Sequence, residues 1–365
     1  MMPGRPRGTH VCVVGLGVAG RLHHRLLTGL GATVSVVDPA ADPRLLPFPV
    51  AARVEDVPEL PPVDVWSVCT PTAAHVPTVA AVLDRDPGAR LLVEKPVCRS
   101  WEGPRLAALL AAHEGARLVV MNQYAHAEAP ALLRAVKDEY APRHPVEAIR
   151  VAFGKDRRQD IAAGRFVDHD YGVFGYEWLH MLALLGRFLP EDAYHRYLVR
   201  HPDHGSVRIA RDPELTSTAA HDVVDLDGTE IDLYSSVVGH DPGPEAPAPH
   251  WTVRTTPAAD SRHRLARVEA GPVRLTLELD PVVLPDGTPL PRNTHRLTLD
   301  RPEGRREWRI EDSPLENALR HSLTALLDDS ARPCPDLRPI ARIGRLAALA
   351  RHPADAATAA LPTRL

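Results

Sequence analysis

The residues from His10 to Gly20 read HVCVVGLGVAG and join an apolar, β-prone run to a glycine-rich turn. A helical pattern begins at Arg21, and a second β-like run, residues 33–37, ends at Asp38. A strand, a glycine turn, a helix, a strand and a terminal acid within about thirty residues are the parts of a dinucleotide-binding unit. The sequence therefore predicts such a unit near the start of the chain.

The glycines of this turn have separate tasks in a dinucleotide-binding unit. Gly15 allows the tight turn, Gly17 lets the backbone approach the pyrophosphate, and Gly20 lets helix and strand pack closely. The N–H groups at the start of the helix then face the phosphates. We therefore predict cofactor contacts along the whole turn, which comprises Gly15, Leu16, Gly17, Val18, Ala19 and Gly20.

Asp38 predicts which dinucleotide binds. It follows the turn at a distance where a carboxylate can accept hydrogen bonds from both ribose hydroxyls. A carboxylate at this position repels a 2′-phosphate, and Pro39 stands where an arginine could bind that phosphate. We therefore expect NAD as the cofactor in preference to NADP.

Length and composition limit the class of protein. A chain of 365 residues suits two domains, each with its own core. The net charge is −4 with both signs spread along the chain, which argues against nucleic acid or an anionic membrane as the main partner. The chain has no apolar run near roughly eighteen residues, no signal-peptide core and no CxxC pair among its four cysteines. We therefore expect a cytoplasmic protein with reduced thiols.

The first 124 residues alternate strand-like and helix-like segments, a pattern typical of a doubly wound parallel sheet. In such sheets, ligands bind beyond the carboxyl ends of the strands. The predicted strand ends carry Gly15, Asp38, Thr70, Lys95 and Asn122. This convergence predicts a ligand site more strongly than any single motif does.

Lysine is scarce in this chain, because 43 residues are basic and only Lys95, Lys137 and Lys155 are lysines. Arginine serves equally well as a surface charge, but it does not release its proton near neutral pH, whereas a buried lysine can. A lysine kept at a strand end therefore suggests that an amine is needed there. Lys137 lies in a polar helical stretch and is expected on a solvated face.

Three motifs together resemble the Gfo/Idh/MocA oxidoreductase family. They are Gly15-x-Gly17-x-x-Gly20, Thr70-Pro71-x-x-x-His75 and Glu94-Lys95-Pro96. The resemblance extends over nearly the whole chain and implies an α/β fold in two domains. An N-terminal Rossmann domain with a doubly wound parallel sheet would span residues 1–124. A C-terminal α+β domain with a large open, mostly antiparallel sheet would span residues 125–365.

The same resemblance assigns residues to the site. It implies that Lys95 lies near the nicotinamide and the substrate oxygen, and that Pro71 and His75 line the cofactor cleft. A helix-start histidine without a ligand role is the alternative for His75. Further cofactor contacts are assigned to Thr70, Glu94 and Asn122, and a substrate contact to Tyr124.

The second half of the chain changes to segments with a period of two and one polar face, which favours an antiparallel sheet. These segments are residues 146–153, 220–226, 230–238, 262–269, 273–280 and 295–300. Residues 239–249 are predicted as a Pro/Gly loop. Residues 341–351 are predicted as a helix, and the residues from Ala357 onward as a frayed end.

Residues 172–181, GVFGYEWLHM, resemble the glycine-opened helix of the family, whose inward face usually carries Asp and, four residues later, His. His180 fits the second position, but Tyr176 occupies the first. A tyrosine can hydrogen-bond a substrate oxygen or relay a proton, but it does not supply the charge of an aspartate. Glu177 could partly substitute from a rotated face of the helix. Core packing is the alternative for His180, Tyr176 and Glu177.

Two further polar groups could either bind a ligand or have a purely structural role. Asp168 and Asp170 flank a histidine, but no third ligand stands at a recognisable spacing, so we predict a loop and helix-capping role and no metal. Lys155, with Arg157 and Arg158, could bind a polyhydroxylated or phosphorylated substrate or lie in a solvated loop.

The predicted chemistry is hydride transfer between NAD and a secondary alcohol or ketone of a small molecule. Lys95 is the predicted acid/base, since a desolvated amine beside a positive nicotinamide should have a pKa lowered toward the working pH. His180 would orient the substrate hydroxyl or share the proton relay. The family implies a sugar, cyclitol or related intermediate as substrate, and a homodimer or homotetramer formed through the C-terminal sheet. Alternatives are an imine reductase, a glycoside-cleaving enzyme without net redox, and a non-enzymatic NAD-binding sensor.

Overall fold

The computed structural model describes residues 8–164, 167–238, 262–330, 333 and 335–351. They form two compact units, described separately here: Met1–His126 with Leu315–Ile340, and Ala127–Pro314 with Ala341–Leu365. Residues 315–340, predicted within the C-terminal domain, thus belong to the first unit. The predicted loop at 239–249, the predicted frayed end and Cys334 lie outside the described residues. The other three cysteines are buried free thiols.

The first unit contains a six-stranded sheet in the order β3-β2-β1-β4-β5-β6. Its strands are β1 His10–Val14, β2 Thr33–Val37, β3 Val50–Ala51, β4 Val65–Val68, β5 Arg90–Val93 and β6 Arg117–Val120. All five strand pairs are parallel. The helices between them are α1 Val18–Gly29, α2 Thr72–Arg85 and α3 Gly103–Ala112. The strand order reverses between β1 and β4, which is where such sheets bind their ligands. The predicted Rossmann-type fold is confirmed.

The second unit contains an eight-stranded sheet in the order β14-β13-β12-β11-β7-β10-β9-β8. Only β7 and β10 pair in parallel, so the predicted mostly antiparallel sheet is confirmed. In chain order the elements begin with α4 Glu128–Tyr140, β7 Ala148–Gly154, α5 Arg158–Ala162, α6 Leu179–Phe188, α7 Glu191–Val199 and β8 Val207–Asp212. They continue with β9 Thr216–Leu226, β10 Thr229–Ser236, β11 His263–Ala270, β12 Val273–Glu278, β13 Thr294–Arg301 and β14 Gly304–Glu311.

The two faces of this second sheet differ as the period of two predicts. On β7, Ile149, Val151 and Phe153 are fully buried, and α6 packs against this strand. Arg150 points to the other face, where its guanidinium donates to Glu230 of β10 and Glu269 of β11. An apolar face against helices and a polar face of cross-strand ion pairs are what an alternating strand provides.

Two strands of this second sheet had no sequence-based prediction, and they are its two edges. The outer strand β14 reads GRREWRIE and is mostly exposed, and β8 reads VRIARD. Charged residues are common on edge strands because they discourage pairing with another chain. The same charges hide the apolar alternation on which sequence prediction depends.

Two helices follow β14 in the part of the chain that the structure describes: α8 Pro314–Leu327 and α9 Arg338–Arg351. Helix α8 belongs to the core of the first unit. Its residues Leu319, Leu323 and Leu326 follow the i, i+4, i+7 spacing of one helix face. They are buried in one cluster with Val11 of β1 and Val34 of β2. No helix among the described residues is both long and apolar enough to cross a membrane.

Helix α9 holds an arginine whose side chain is completely buried, Arg342. Its Nη2 donates to Asp222 Oδ2 over 2.6 Å, and the same oxygen accepts the Tyr197 hydroxyl over 2.8 Å. We expect Arg342→Met to lower the free energy of unfolding by about 3–5 kcal/mol, because Asp222 would stay buried without its cation. Urea unfolding measures this loss.

The matched control for this prediction is Arg196→Met. Arg196 pairs with Asp192 and Asp227, all three of them exposed. Exposed pairs contribute about 0–1 kcal/mol, so the control should unfold almost as the parent does. Equal losses in the two variants would show that burial of the Arg342 pair is irrelevant to stability.

Candidate functional site

The glycine turn lies at the carboxyl end of β1, and its three glycines have three different surroundings. Gly15 has a φ of +94°, and a Cβ on it would lie 2.9 Å from the backbone nitrogen of Thr70. A Cβ on Gly20 would collide with the carbonyl oxygen of Gly15, so α1 can approach the turn only without a side chain. Around Gly17 no atom lies within 4 Å of an ideal Cβ. The backbone there faces open space.

The open space at Gly17 lies before the first turn of α1. Gly17 is the residue that precedes the helix, and it provides no side-chain hydrogen bond to the helix start. The first N–H groups of a helix have no partner within the helix and carry the positive end of its dipole. This helix start can therefore receive a phosphate group.

Asp38 follows β2 and is fixed beside the same turn. Its Oδ2 accepts the N–H of Leu16 over 2.6 Å, and its Oδ1 accepts the N–H of Ala40 over 2.8 Å. These two bonds hold the carboxylate in place, and each oxygen keeps a lone pair. Asp38 can thus accept ribose hydroxyls without further rearrangement.

Two strand ends hold polar atoms that the described residues leave unsatisfied. Thr70 Oγ1 after β4 and Asn122 Oδ1 after β6 are buried and have no hydrogen-bond partner there. An unsatisfied buried polar group costs about 1–3 kcal/mol. A ligand beyond the strand ends would provide the missing partners. Together with the open space at Gly17 and the acceptors of Asp38, these atoms fit a bound dinucleotide.

His75 in α2 joins two strand-end turns. Its Nε2 lies 2.7 Å from the carbonyl oxygen of Thr70, and its Nδ1 lies 2.8 Å from that of Pro96. Burial lowers the pKa of His75, so the ring is neutral and donates to one carbonyl at a time. This arrangement favours a role in holding the two turns over the predicted direct contact with the cofactor. Pro71, beside it, is exposed at the start of the same helix.

The Glu94-Lys95-Pro96 motif follows β5, and a histidine that the sequence analysis missed anchors it. His23 of α1 is 1% exposed, and its Nε2 donates to Glu94 Oε1 over 2.9 Å. Glu94 Oε2 in turn accepts the backbone N–H of Lys95 over 3.1 Å. On the other side of the ring, Nδ1 lies 2.9 Å from Ser67 Oγ and 3.3 Å from Cys69 Sγ. These five residues form the His23 network.

The charges in the His23 network favour an imidazolium at His23 and a carboxylate at Glu94. Burial by itself would lower the pKa of His23, but the neighbouring Cys69 and Glu94 raise it to about 10. Burial likewise opposes ionisation of Glu94, but the hydrogen bond and charge of His23, together with the charge of Lys95, lower its pKa. At neutral pH the pair is therefore an imidazolium bound to a carboxylate.

A signal for His23 was present in the sequence. Gly20, His23 and Leu27 stand at i, i+3 and i+7, and all three are buried on one face of α1. A histidine on the apolar face of the helix after the glycine turn must find polar partners inside the protein. The sequence did not reveal which partners these are, because Ser67 and Glu94 come from distant strands.

The predicted residues of the second unit lie on an unusual turn. Phe174–Trp178 form a π-helical turn, and α6 begins at Leu179. A π-turn is wider than an α-helical turn, and such turns within helices are frequent at functional sites. His180 is 8% exposed, and Tyr176 is partly buried.

Glu177 is held by two arginines. Arg157 Nη2 donates to its Oε1 over 2.7 Å, and Arg264 Nη2 donates to its Oε2 over 3.2 Å. The Arg157 guanidinium also lies 4.7 Å from the centre of the Tyr176 ring. With both oxygens engaged and 3% of the residue exposed, Glu177 fits the packing alternative better than substrate binding.

The remaining candidates have local partners. Lys155 Nζ donates to Asp160 Oδ2 over 2.7 Å within the second unit. Asp168 Oδ1 accepts the N–H groups of Asp170 and Tyr171 and so holds the turn before the helix, whereas the helix start itself has no side-chain cap. The loop role predicted for Asp168 fits these bonds, and the predicted capping role does not. Tyr124 is buried in the first unit.

Comparison with protein families finds a match for the first part of the chain. Residues 9–122 match the Gfo/Idh/MocA family, described as an oxidoreductase family with an NAD-binding Rossmann fold. This match covers the glycine turn, Asp38, the Thr70 turn and the Glu94-Lys95-Pro96 motif. Residues 9–122 are therefore similar to the NAD-binding Rossmann domain of the Gfo/Idh/MocA oxidoreductases, as the motifs predicted.

Solved structures resemble nearly the whole chain. KijD10, a 3-ketoreductase from Actinomadura kijaniata solved with NADP and TDP-benzene, has a TM-score of 0.67 and 13% identity, covering 94% of this chain and 97% of its own. The protein yvaA from Bacillus subtilis has a TM-score of 0.61 and 16% identity, covering 94% and 96%. At such identities the likeness concerns the fold. No curated protein matches the chain.

Proposed function

We propose that this protein is an NAD(P)-dependent oxidoreductase that transfers a hydride between the nicotinamide and a secondary alcohol or ketone of a sugar, cyclitol or related intermediate. The observation that carries the proposal is the meeting of the glycine turn, the Asp38 carboxylate and Lys95 at the strand ends of one sheet. The resemblance to a 3-ketoreductase, KijD10, supports a ketone of the sugar type.

Lys95 is the proposed acid/base. A bound nicotinamide supplies the hydride acceptor or donor. Lys95 Nζ takes the hydroxyl proton of the alcohol as the hydride leaves, and it returns a proton to the ketone in the reverse direction. Tyr176 and His180 remain proposed substrate contacts on the family resemblance alone.

A substrate panel tests the reaction. Polyols, cyclitols and keto sugars, free and nucleotide-linked, are offered with each nicotinamide cofactor while NADH or NADPH absorbance is followed. A substrate-dependent change in absorbance is expected. Product without net change in absorbance, from a protein that retains its cofactor, would instead indicate the glycoside-cleaving alternative. Turnover of imines but not of ketones would indicate the imine reductase.

We also propose NAD as the preferred cofactor, because Asp38 is held where the ribose hydroxyls would lie. Asp38→Asn keeps an acceptor for the N–H of Leu16 but loses the charge that repels a 2′-phosphate. We expect this variant to bind NAD about tenfold more weakly, a loss of about 1.4 kcal/mol, and to gain affinity for NADP. Calorimetry gives both dissociation constants.

The matched control is Asp42→Asn. Asp42 lies four residues further along and pairs with the exposed Arg44. Its replacement should leave the ratio of NAD to NADP affinity as in the parent. An unchanged ratio in Asp38→Asn would remove the charge of Asp38 as the cause of cofactor preference.

Self-association through the sheet of the second unit stays a proposal, which light scattering after size-exclusion chromatography tests.

A further inference from the structure

The His23 network reaches the proposed acid/base through one shared residue. Glu94 accepts His23 Nε2 with one carboxylate oxygen and the backbone N–H of Lys95 with the other. The carboxylate is thus placed between a buried imidazole and the residue that would exchange the proton. A change in the charge of the imidazole changes the electrostatic potential at Lys95, because Coulomb interactions are strong in a partly buried site.

The groups around the pair determine the sign of this effect. From β4, Ser67 and Cys69 face the Nδ1 side of the His23 ring. From α2, His75 responds to the charge of Glu94 and is itself neutral through burial. Lys95 is a further charged neighbour of Glu94. An ionised Glu94 therefore interacts with two cations, the imidazolium of His23 and the ammonium of Lys95.

We propose that His23 is a positioning residue that neutralises Glu94 and thereby keeps the proton affinity of Lys95 low enough for proton exchange. The proposal rests on the proposed role of Lys95. Without the imidazolium, the carboxylate would stabilise the ammonium form of the adjacent lysine. The amine would then give up its proton only at higher pH.

The scarcity of lysine makes the proton affinity of Lys95 measurable without any substrate. Reductive methylation with ¹³C-formaldehyde labels Lys95, Lys137, Lys155 and the amino terminus, and NMR follows each signal with pH. The variant Lys95→Arg identifies the signal of Lys95 as the one that it removes. We expect His23→Gln, which can still donate to Glu94 but carries no charge, to raise the pKa of Lys95 by about one.

A double variant isolates the route of this effect. In His23→Gln with Glu94→Gln there is no carboxylate to neutralise, so the pKa of Lys95 should not rise. An unchanged pKa in His23→Gln would overturn the proposal, and so would an equal rise in the double variant. The low-pH limb of kcat/KM for alcohol oxidation should move upward with the pKa of Lys95.

The proposal remains testable if His23→Gln does not fold. Histidine-labelled parent protein should then show one imidazolium signal that persists at about pH 8, above the ordinary pKa of histidine. Glu94→Gln keeps the imidazole and should lower its pKa, although Cys69 continues to raise it. An unchanged pKa of His23 in this variant would overturn the proposal. Because these titrations need neither cofactor nor substrate, they can succeed even where Lys95 proves dispensable for turnover.

Discussion

Replacement of Lys95 by methionine is expected to lower kcat for hydride transfer by about a hundred- to ten-thousand-fold, the range that general acid/base groups contribute. Methionine has a similar length but no proton to exchange. Lys95→Arg should lose nearly as much, because a guanidinium keeps its proton at neutral pH. Steady-state kinetics with saturating NAD measures the loss, and calorimetry shows whether the cofactor still binds.

Lys137→Met is the matched control for this experiment. Lys137 lies in α4 of the second unit, where its Nζ is 3.5 Å from Asp138 Oδ1. Its side chain is 15% exposed, so the predicted solvated face is wrong. The variant should keep the turnover of the parent. If Lys95→Met turned over within a few-fold of the parent, Lys95 would have no part in proton transfer. The proposed chemistry would then need another acid/base.

A pair of alanine substitutions is expected to separate binding from folding in the glycine turn. Gly17→Ala should weaken NAD binding by about ten- to hundredfold, or about 1.4–2.8 kcal/mol, because the added methyl fills the open space before α1. Its φ of −69° suits alanine, so the free energy of unfolding should hold or rise slightly. Calorimetry measures the first effect and urea unfolding the second.

Gly20→Ala should show the opposite behaviour. The new methyl meets the carbonyl oxygen of Gly15, so α1 must shift from the turn. Overpacking of this kind costs about 1–3 kcal/mol or more of unfolding free energy. A Gly17→Ala variant with parental affinity would contradict the idea that the pyrophosphate approaches the backbone there. A stable Gly20→Ala variant would contradict the close packing of helix and turn.

The first sheet was predictable because its information is local. The strand, the turn and the acid at Asp38 are neighbours in sequence, and parallel strands bring their ends to one edge of the sheet. The His23 network was not predictable in the same way. His23 lies in α1, Ser67 in β4 and Glu94 after β5, so their contact depends on how α1 packs on the sheet.

In the second unit, residue patterns did not predict every strand or every side-chain contact. The edge strands β8 and β14 have charges that mask their alternation. The π-helical turn at Phe174–Trp178 was not predicted from the residue pattern. Glu177 stands at a sequence position that suggested substrate binding, yet Arg157 and Arg264 donate to both of its carboxylate oxygens. Only the folded structure reveals those partners.

Helix α8 has a consequence for the order in which this protein folds during synthesis. The ribosome releases the first 126 residues long before Leu319, Leu323 and Leu326, which cover the apolar core of the same unit. Domains usually fold as they emerge, but this one lacks part of its interior until nearly nine-tenths of the chain has been translated. A nascent chain stalled shortly after residue 126 should therefore be open to proteases, and one stalled well beyond residue 327 should be protected.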